Sequence, residues 1–353
     1  MDSMEVDPAI VDLLFGLGAT EAEISDAAGA RRLPALAVDL VLSRDFTLTV
    51  GEAAARGAVS PDGLLETYRL FGISLDRDRP VLGEGDVTLL AALSGAGAGE
   101  AGASGDNFSK GAGDNLLRVI GMSIARVADA AVSTFVQDVE EHLETTDVDL
   151  IEWVRAEQQI GDLAHHIAPG LGTLFLHHLL EAIQRQRRSQ QGVSERSMAR
   201  LAIGFVDLVG FTPLSRNLSP RELVGLVTHF EARAFDIVSA HNGRVVKHIG
   251  DEVMYSALSA DDAAHIALAL VGEYTGGVQP RAGFCYGEVL TLRGDYYGPV
   301  VNLAARLTDQ AVPGEVLIDA ETAGQLTDVP HEPGGRRLLK GFDEPVAVSS
   351  LSG

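Results

Sequence analysis

Residues 245–256 read VVKHIGDEVMYS, two apolar runs that meet at a Gly250–Asp251 turn. The alternation about a glycine-containing reversal is the pattern of a β-hairpin. Strict alternation puts Lys247 on the same strand face as Val245 and Ile249. An aspartate at a turn is ordinary, because its carboxylate bonds the local backbone. A lysine on an apolar face needs a reason. Either it snorkels its ammonium to the sheet edge, or something in the folded protein requires a cation there.

Reading outward from the hairpin gives the fold. LAIGFVDLVGF, from Leu201, is a near-continuous apolar run suited to a buried central strand. A helix is expected from Pro220 to about His241, and another from Ser259 or Ala260, where Asp261 and Asp262 favour a first turn. RAGFCYGEVL reads as a strand, a further strand or loop runs to Tyr297, a helix starts at Pro299, and short strands follow. Strand–helix–strand–strand–helix–strand is the ferredoxin-like order, so the fold class of residues 200–353 is α+β.

Two aspartates in this half carry potential chemistry. Asp207 ends the central strand and Asp251 stands at the hairpin turn, so neighbouring strands would bring both carboxylates to one sheet edge. Paired carboxylates on rigid strands suit divalent cations that also bind phosphate oxygens. LVGFT follows Asp207, and a glycine turn after a strand can aim backbone N–H groups at a phosphate. Farther on, Pro299 suits the first helical position of PVVNLAARL. Asn302 and Arg306, four apart, then share one face of an otherwise apolar helix.

The first half is all-α in pattern. Residues 1–94 form a helical segment, in which LTVGEAAARGAVSPDGLLETYRLFGI resembles the helix-turn-helix of MerR-type regulators. Residues 95–106, within GAGAGEAGASGD, have no side chains for a core and read as a linker. Residues 107–184 complete a helical bundle. Leu116, Ile120, Ile124, Val127, Ala131, Phe135 and Val139 form one stripe there. A second helical region, about 150–188, is expected to break at Pro169–Gly170 and to pack on the first. Residues 185–199 are a basic connector, with Arg185, Arg187, Arg188, Arg196 and Arg200 in and around it.

The composition bounds the partners. A net charge of −23 over 353 residues argues against nucleic acid and anionic membranes. The single cysteine, Cys285, allows no internal disulfide and suits a reducing cytoplasm. The acidic N-terminus lacks the basic region of a secretion signal, and no apolar stretch reaches the ~18 residues of a membrane span.

Three motifs, FVDLVGFT, KHIGDEVM and DYYGPVVNLAAR, in this order and spacing, resemble the catalytic domain of class III nucleotidyl cyclases. The helical first half with its basic connector also resembles the regulatory region of soluble actinobacterial adenylate cyclases. The resemblance implies conversion of ATP to 3′,5′-cyclic AMP and pyrophosphate in a cytoplasmic homodimer, with each site built from both chains. It implies two Mg²⁺ or Mn²⁺ ions on Asp207, the Leu208 backbone carbonyl and Asp251. One ion would acidify the ribose 3′-hydroxyl and the other would hold the triphosphate. Gly210, Phe211 and Thr212 would line the substrate, and Lys340 would reach the triphosphate. Asn302 would orient the ribose, and Arg306 would stabilise charge on the α-phosphate. Lys247 and Asp295 would read the N1 and 6-amino edge of adenine, where guanylate cyclases typically carry Glu and a small residue. A wrong base leaves polar groups unmatched at about 1–3 kcal/mol each.

By the same resemblance the first half gates the enzyme in response to a proton or a fatty acid. His165–His166 and His177–His178, with His142 before them, lie in helical sequence without metal-ligand spacing, but histidine titrates near neutral pH. Three other readings compete. A cyclase-like module without catalysis would sense a nucleotide or lipid. A diguanylate cyclase shares an IGDE-like hairpin but has no place for the Lys247–Asp295 and Asn302–Arg306 sets. A transcription regulator would use the MerR-like segment, against the acidic balance.

Overall fold

The apolar run at Leu201 becomes a central strand because it is covered on both edges and both faces. The computed structural model describes residues 6–97, 110–136, 148–191, 193, 195, 197–272 and 278–351. Strand β1 (Met198–Leu208) pairs antiparallel with β3 (Glu252–Ala257) and with β4 (Pro280–Leu292). β2 (Arg244–Ile249) lies outside β3, and the order β2-β3-β1-β4 continues through β6 (Val316–Asp319) and β8 (Val346–Leu351) to β7 (His331–Arg337). β5 (Asp295–Tyr297) pairs with β4. The first four of these strands, with their helices, form the split β-α-β arrangement expected for the ferredoxin-like order.

Each sheet face has its own core. On one face lie α10 (Pro220–Ala240) and α11 (Ala260–Gly272), which bury Phe230, Ala234, Val238, Ile266 and Leu270 against Val206, Val253, Tyr255 and Phe284. A Ser219–Glu222 capping box and Pro220 at the first position start α10, satisfying N–H groups that have no helical partner. On the other face, α12 (Pro299–Gln310) buries Ala304 and Leu307 with Leu201, Ile203, Phe205, Met254 and Cys285. It lies so close to β4 that a Cβ at Gly283 would stand 2.5 Å from the Thr308 nitrogen.

The hairpin differs from strict alternation at one residue. Val245 pairs with Tyr255 but Lys247 pairs with Met254, so Val246 is an unpaired bulge. Lys247 therefore shares the α12 face with Ile249, and Val245 packs in the opposite core. His248, as a consequence, faces α10, where its Nδ1 lies 3.6 Å from Glu231.

The chain divides into two units, Met1–Leu176 and His177–Gly353. In the first, α1 (Pro8–Gly16), α2 (Glu21–Gly29) and α3 (Leu33–Ser43) bury Ile10, Leu14, Ile24, Leu33 and Ala37. α4 (Val50–Arg56), α5 (Pro61–Leu70) and α6 (Glu84–Gly97) enclose a second small core around Leu64, Leu82 and Leu90. The MerR-like stretch is thus a pair of short helices, α4 and α5, each with a side-chain N-cap. The helix α6 runs through Gly97 and overlaps the start of the expected linker, whose remainder lies outside the described residues.

Two expectations for the long helices need correction. α8 (Leu150–Ser189) passes through Pro169 without a break. The ring removes one N–H and crowds one carbonyl, and about five turns of helix on either side hold the segment together. The bundle packing fails too. On α7 (Lys110–Phe135), Leu116, Ile120, Ile124 and Val127 remain exposed, as do Leu163, Ile167, Leu174 and Phe175 of α8. Apolar spacing identified the stripe but not the surface that would cover it. Val139 and His142 lie outside the described residues. His165 is tied to the end of α3, its Nε2 at 2.8 Å from the Val41 carbonyl. Among the described residues no helix is long and apolar enough to cross a membrane.

Candidate active site

Cross-strand register assembles the acidic part of the site. Asp207 stands opposite Glu252 of β3 on one side and Arg281 of β4 on the other. Gly250, with φ of 65°, makes the reversal that places Asp251 beside them, a conformation that a β-carbon would oppose. Arg281 donates to Asp207 Oδ2 from Nε at 2.9 Å and from Nη2 at 2.7 Å. Its Nη1 donates to the Asp309 carbonyl at 2.7 Å, near the C-terminus of α12, where a cation is favoured. One guanidinium therefore couples the strand-end aspartate to the helix that carries Asn302 and Arg306.

Charge crowding is evident in the acids. Burial first, and then Asp207, push the Asp251 carboxyl above its usual range, with a backbone hydrogen bond acting the other way. Burial, reinforced by Asp207, Asp309 and Asp251, pushes Glu252 up to about 7, with Arg281 opposing. Buried carboxyl groups crowded around Asp207 call for positive charge, and Arg281 serves only one oxygen of Asp207. A divalent cation fits this donor set. Among the described residues no group of three or more acidic, histidine or cysteine side chains forms a complete metal cage, but phosphate oxygens commonly complete such sites.

The second pole lies on the α12 face. The Lys247 ammonium donates to Asp295 Oδ2, and Asp295 Oδ1 accepts from the Tyr296 backbone N–H at 2.9 Å. Both side chains are partly exposed. The two residues, 48 apart in sequence, thus form one unit with a cation and a carboxylate side by side. That unit has a use for Lys247 which snorkelling alone lacks. Lys247 and Asp251 sit on the same hairpin, so the bulge and the turn position both poles together.

The remaining residues are placed less directly. Asn302 is exposed on α12, and Arg306 pairs with Asp309 on its own helix at 2.8 Å. Leu208 is buried at the end of β1, and Val209 N–H donates to the Gln279 carbonyl. Gly210, with φ of 81°, opens the short helix α9 (Phe211–Ser215), where Phe211 packs on the first core and Thr212 is exposed. Lys340 is an exposed turn residue beside the buried Leu339. Arg281, Glu252 and Asp309 were not singled out as site residues in the sequence. Glu252 adjoins Asp251 in the hairpin sequence, whereas Arg281 acquires its place only from the register.

Residues 193–346 match the family described as adenylate and guanylate cyclase catalytic domain. An uncharacterized protein of Mycobacterium tuberculosis is 36% identical over 352 residues, covering 97% of this chain and 89% of its own. An adenylate cyclase of Streptomyces coelicolor is 34% identical over 295 residues, covering 81% of this chain and 74% of its own. A pH-sensitive adenylate cyclase of M. tuberculosis is 29% identical over 245 residues, covering 64% and 59%.

Proposed function

The chain belongs to the class III family of adenylate and guanylate cyclases, and from that premise we propose that it converts ATP to 3′,5′-cyclic AMP and pyrophosphate. The observation that carries the choice of ATP is the Lys247–Asp295 pair. Adenine presents an acceptor at N1 and a donor at its 6-amino group, so an ammonium beside a carboxylate matches it. Guanine reverses that pattern, and each mismatched group costs about 1–3 kcal/mol.

Asp207, Asp251 and the Leu208 carbonyl would hold two divalent cations, Mg²⁺ or Mn²⁺, which supply positive charge to the triphosphate and acidify the ribose 3′-hydroxyl. Lys247 and Asp295 fix the base, and Asn302 orients the ribose. Arg306 stabilises charge on the α-phosphate as the 3′-oxygen displaces pyrophosphate. Gly210, Phe211, Thr212 and Lys340 contact the substrate. Catalysis of this kind rests on positioning and electrostatics. The exposure of Asn302 on the outer surface of α12 favours a site completed by a second copy of the chain.

Purified full-length protein with Mn²⁺ and either ATP or GTP tests the reading by product identification. Cyclic AMP formed from ATP, and lost in Asp251→Ala, is expected. Predominant cyclic GMP would overturn the base assignment, and no cyclic product from either would overturn the enzyme. Mixing Asp251→Ala with Arg306→Ala tests the shared site. By the family resemblance the metal aspartates of a site come from one chain and its Arg306 from the other, so each variant is inactive alone, and random reassortment leaves one intact site in half of the dimers, about a quarter of wild-type activity. No recovery on mixing would leave each chain with its own site.

The helical half is proposed to restrain the cyclase, with acid relieving the restraint. The relative named pH-sensitive supports a proton as the signal, and a fatty acid is the competing effector. Removing residues 1–190 should raise activity and flatten its pH profile. An unchanged profile would remove the proposed gate.

A further inference from the structure

Two long helices of the first unit are almost bare. α7 is seated on the end of α5 at Gly121, where a Cβ would run into the Phe71 backbone. α8 is seated on α3 at Gly161, where a Cβ would stand 2.7 Å from the Val41 Cβ. Beyond these contacts, every residue from Met122 to Thr134 is exposed, as is every residue from Leu163 to Leu176 except His165 and Leu171. Each helix nevertheless has an apolar side. Ile120, Ile124 and Val127 line one side of α7, and Leu163, Ile167 and Leu174 line one side of α8, each between 36% and 58% exposed. A helix in water without a packed face is marginal. Pro169 lies inside the bare stretch of α8 and removes a backbone hydrogen bond that packing has to offset.

The chain itself has little to cover these faces with. Residues 98–109 and 137–147, outside the described set, carry three large apolar side chains, Phe108, Val139 and Leu143. An anionic membrane is opposed by the net charge of −23, and residues 163–176 contain no lysine or arginine to anchor it there. A second copy brings the same two stripes. The apolar faces offer on the order of 1,000 Å² per chain, above the ~300–600 Å² of a typical monomer's largest patch and enough for the ~800 Å² that each partner buries in a stable interface. One stripe on each of two helices can meet itself across a two-fold axis, as a closed dimer requires.

We propose that the bare stretches of α7 and α8 pack against those of a second copy, so that the helical half is itself a dimerisation surface. The inference does not depend on the cyclase reading, because these helices pair whether or not the active sites are shared.

Single cysteines read the cover directly, because the native Cys285 is buried. In the full-length chain, Ile124→Cys and Ile167→Cys place a thiol on the stripes, and Asp129→Cys places one on the opposite face of α7. At a concentration where sedimentation shows a dimer, the stripe thiols should react with a maleimide at least about tenfold more slowly than that of Asp129→Cys, and the difference should vanish in the monomer. Ile124→Glu and Ile167→Glu should each weaken dimerisation at least about hundredfold, since each buries an uncompensated charge. Asp129→Asn should leave it unchanged. A monomeric wild type with freely reacting stripe thiols would overturn the proposal, and so would an unchanged dimer affinity in both glutamate variants. A dimer whose stripe thiols react as fast as that of Asp129→Cys would also overturn it, while leaving the shared active site standing. Slow reaction in a monomer that turns fast after extraction on a lipid-binding resin would make an apolar small molecule the cover instead. Protected stripes with no recovery of activity on mixing the two active-site variants would uphold this surface and remove the shared site.

Discussion

Replacing Asp295 with alanine separates the proposed base recognition from the rest of the site. The carboxylate is 22% exposed and its Lys247 partner 38% exposed, so the pair is neither dry nor fully solvated. A charged hydrogen bond in such a setting is worth about 2 kcal/mol, the middle of the 1–3 kcal/mol range for an unmatched polar group. With a tenfold change for each ~1.4 kcal/mol, kcat/KM for ATP should fall about 30-fold. GTP gains by comparison, because the carboxylate that repels its O6 is gone. The ATP-to-GTP ratio should therefore narrow by at least about tenfold. The assay is kcat/KM for each nucleotide by chromatography of the cyclic product. The melting temperature should remain close to wild type, since Lys247 is exposed enough to turn its ammonium to water. Asp295→Asn keeps an acceptor and should lie between the two. An unchanged ATP constant, or equal losses for ATP and GTP, would refute base reading by this pair.

Three other changes probe the scaffold. Arg281→Ala removes two bonds to Asp207 and one to the end of α12, and should lower stability by about 2 kcal/mol in chemical denaturation. A loss below about 0.5 kcal/mol would mean that the guanidinium does not couple strand and helix. Gly283→Ala forces α12 off β4 and should cost about 1–3 kcal/mol together with activity, since that helix bears Asn302 and Arg306. Wild-type melting and turnover would show that the contact yields freely. Glu252 has a folded pKa raised to about 7 from 4.5, so its favourable contribution is complete below 4.5 and lost as pH rises through 7. In EDTA, Glu252→Gln should melt above wild type at pH 8, with the gap closing as the pH falls toward 4.5. A pH-independent gap would point to packing rather than charge.

Much of the second unit was legible because its signals are local. The apolar run from Leu201 forms the central strand as far as Leu208, and Pro220 and Pro299 start helices as their fixed φ favours. Lys247 and Asp295, 48 residues apart, were joined only through the family resemblance, and the structure gives the ion pair between them. Arg281 was not legible. Nothing in RAGFCYGEVL separates its arginine from a solvated strand-end charge until the β1–β4 register sets it opposite Asp207. The first half misled for the converse reason. An apolar stripe on α7 is a strong local pattern, but what covers it depends on surfaces that periodicity does not specify. Pro169 alone signals a break, but the long helical flanks carry α8 through it.

The bulge at Val246 gives the hairpin a particular tolerance to changes of length. Lys247 takes its face from the turn, two residues away, whereas Val245 takes its own from the far end of the strand. Val246 absorbs the mismatch between these two counts. A chain lacking that one residue would run as a regular ladder and still present the lysine on the α12 side. Loss or gain of a residue between Lys247 and Gly250 would instead turn the ammonium toward α10 and, on the proposed reading, silence base selection while every proposed site residue remained in the sequence. Among natural variants, the position of a single-residue gap in this strand should thus distinguish silent deletions from those that abolish nucleotide choice.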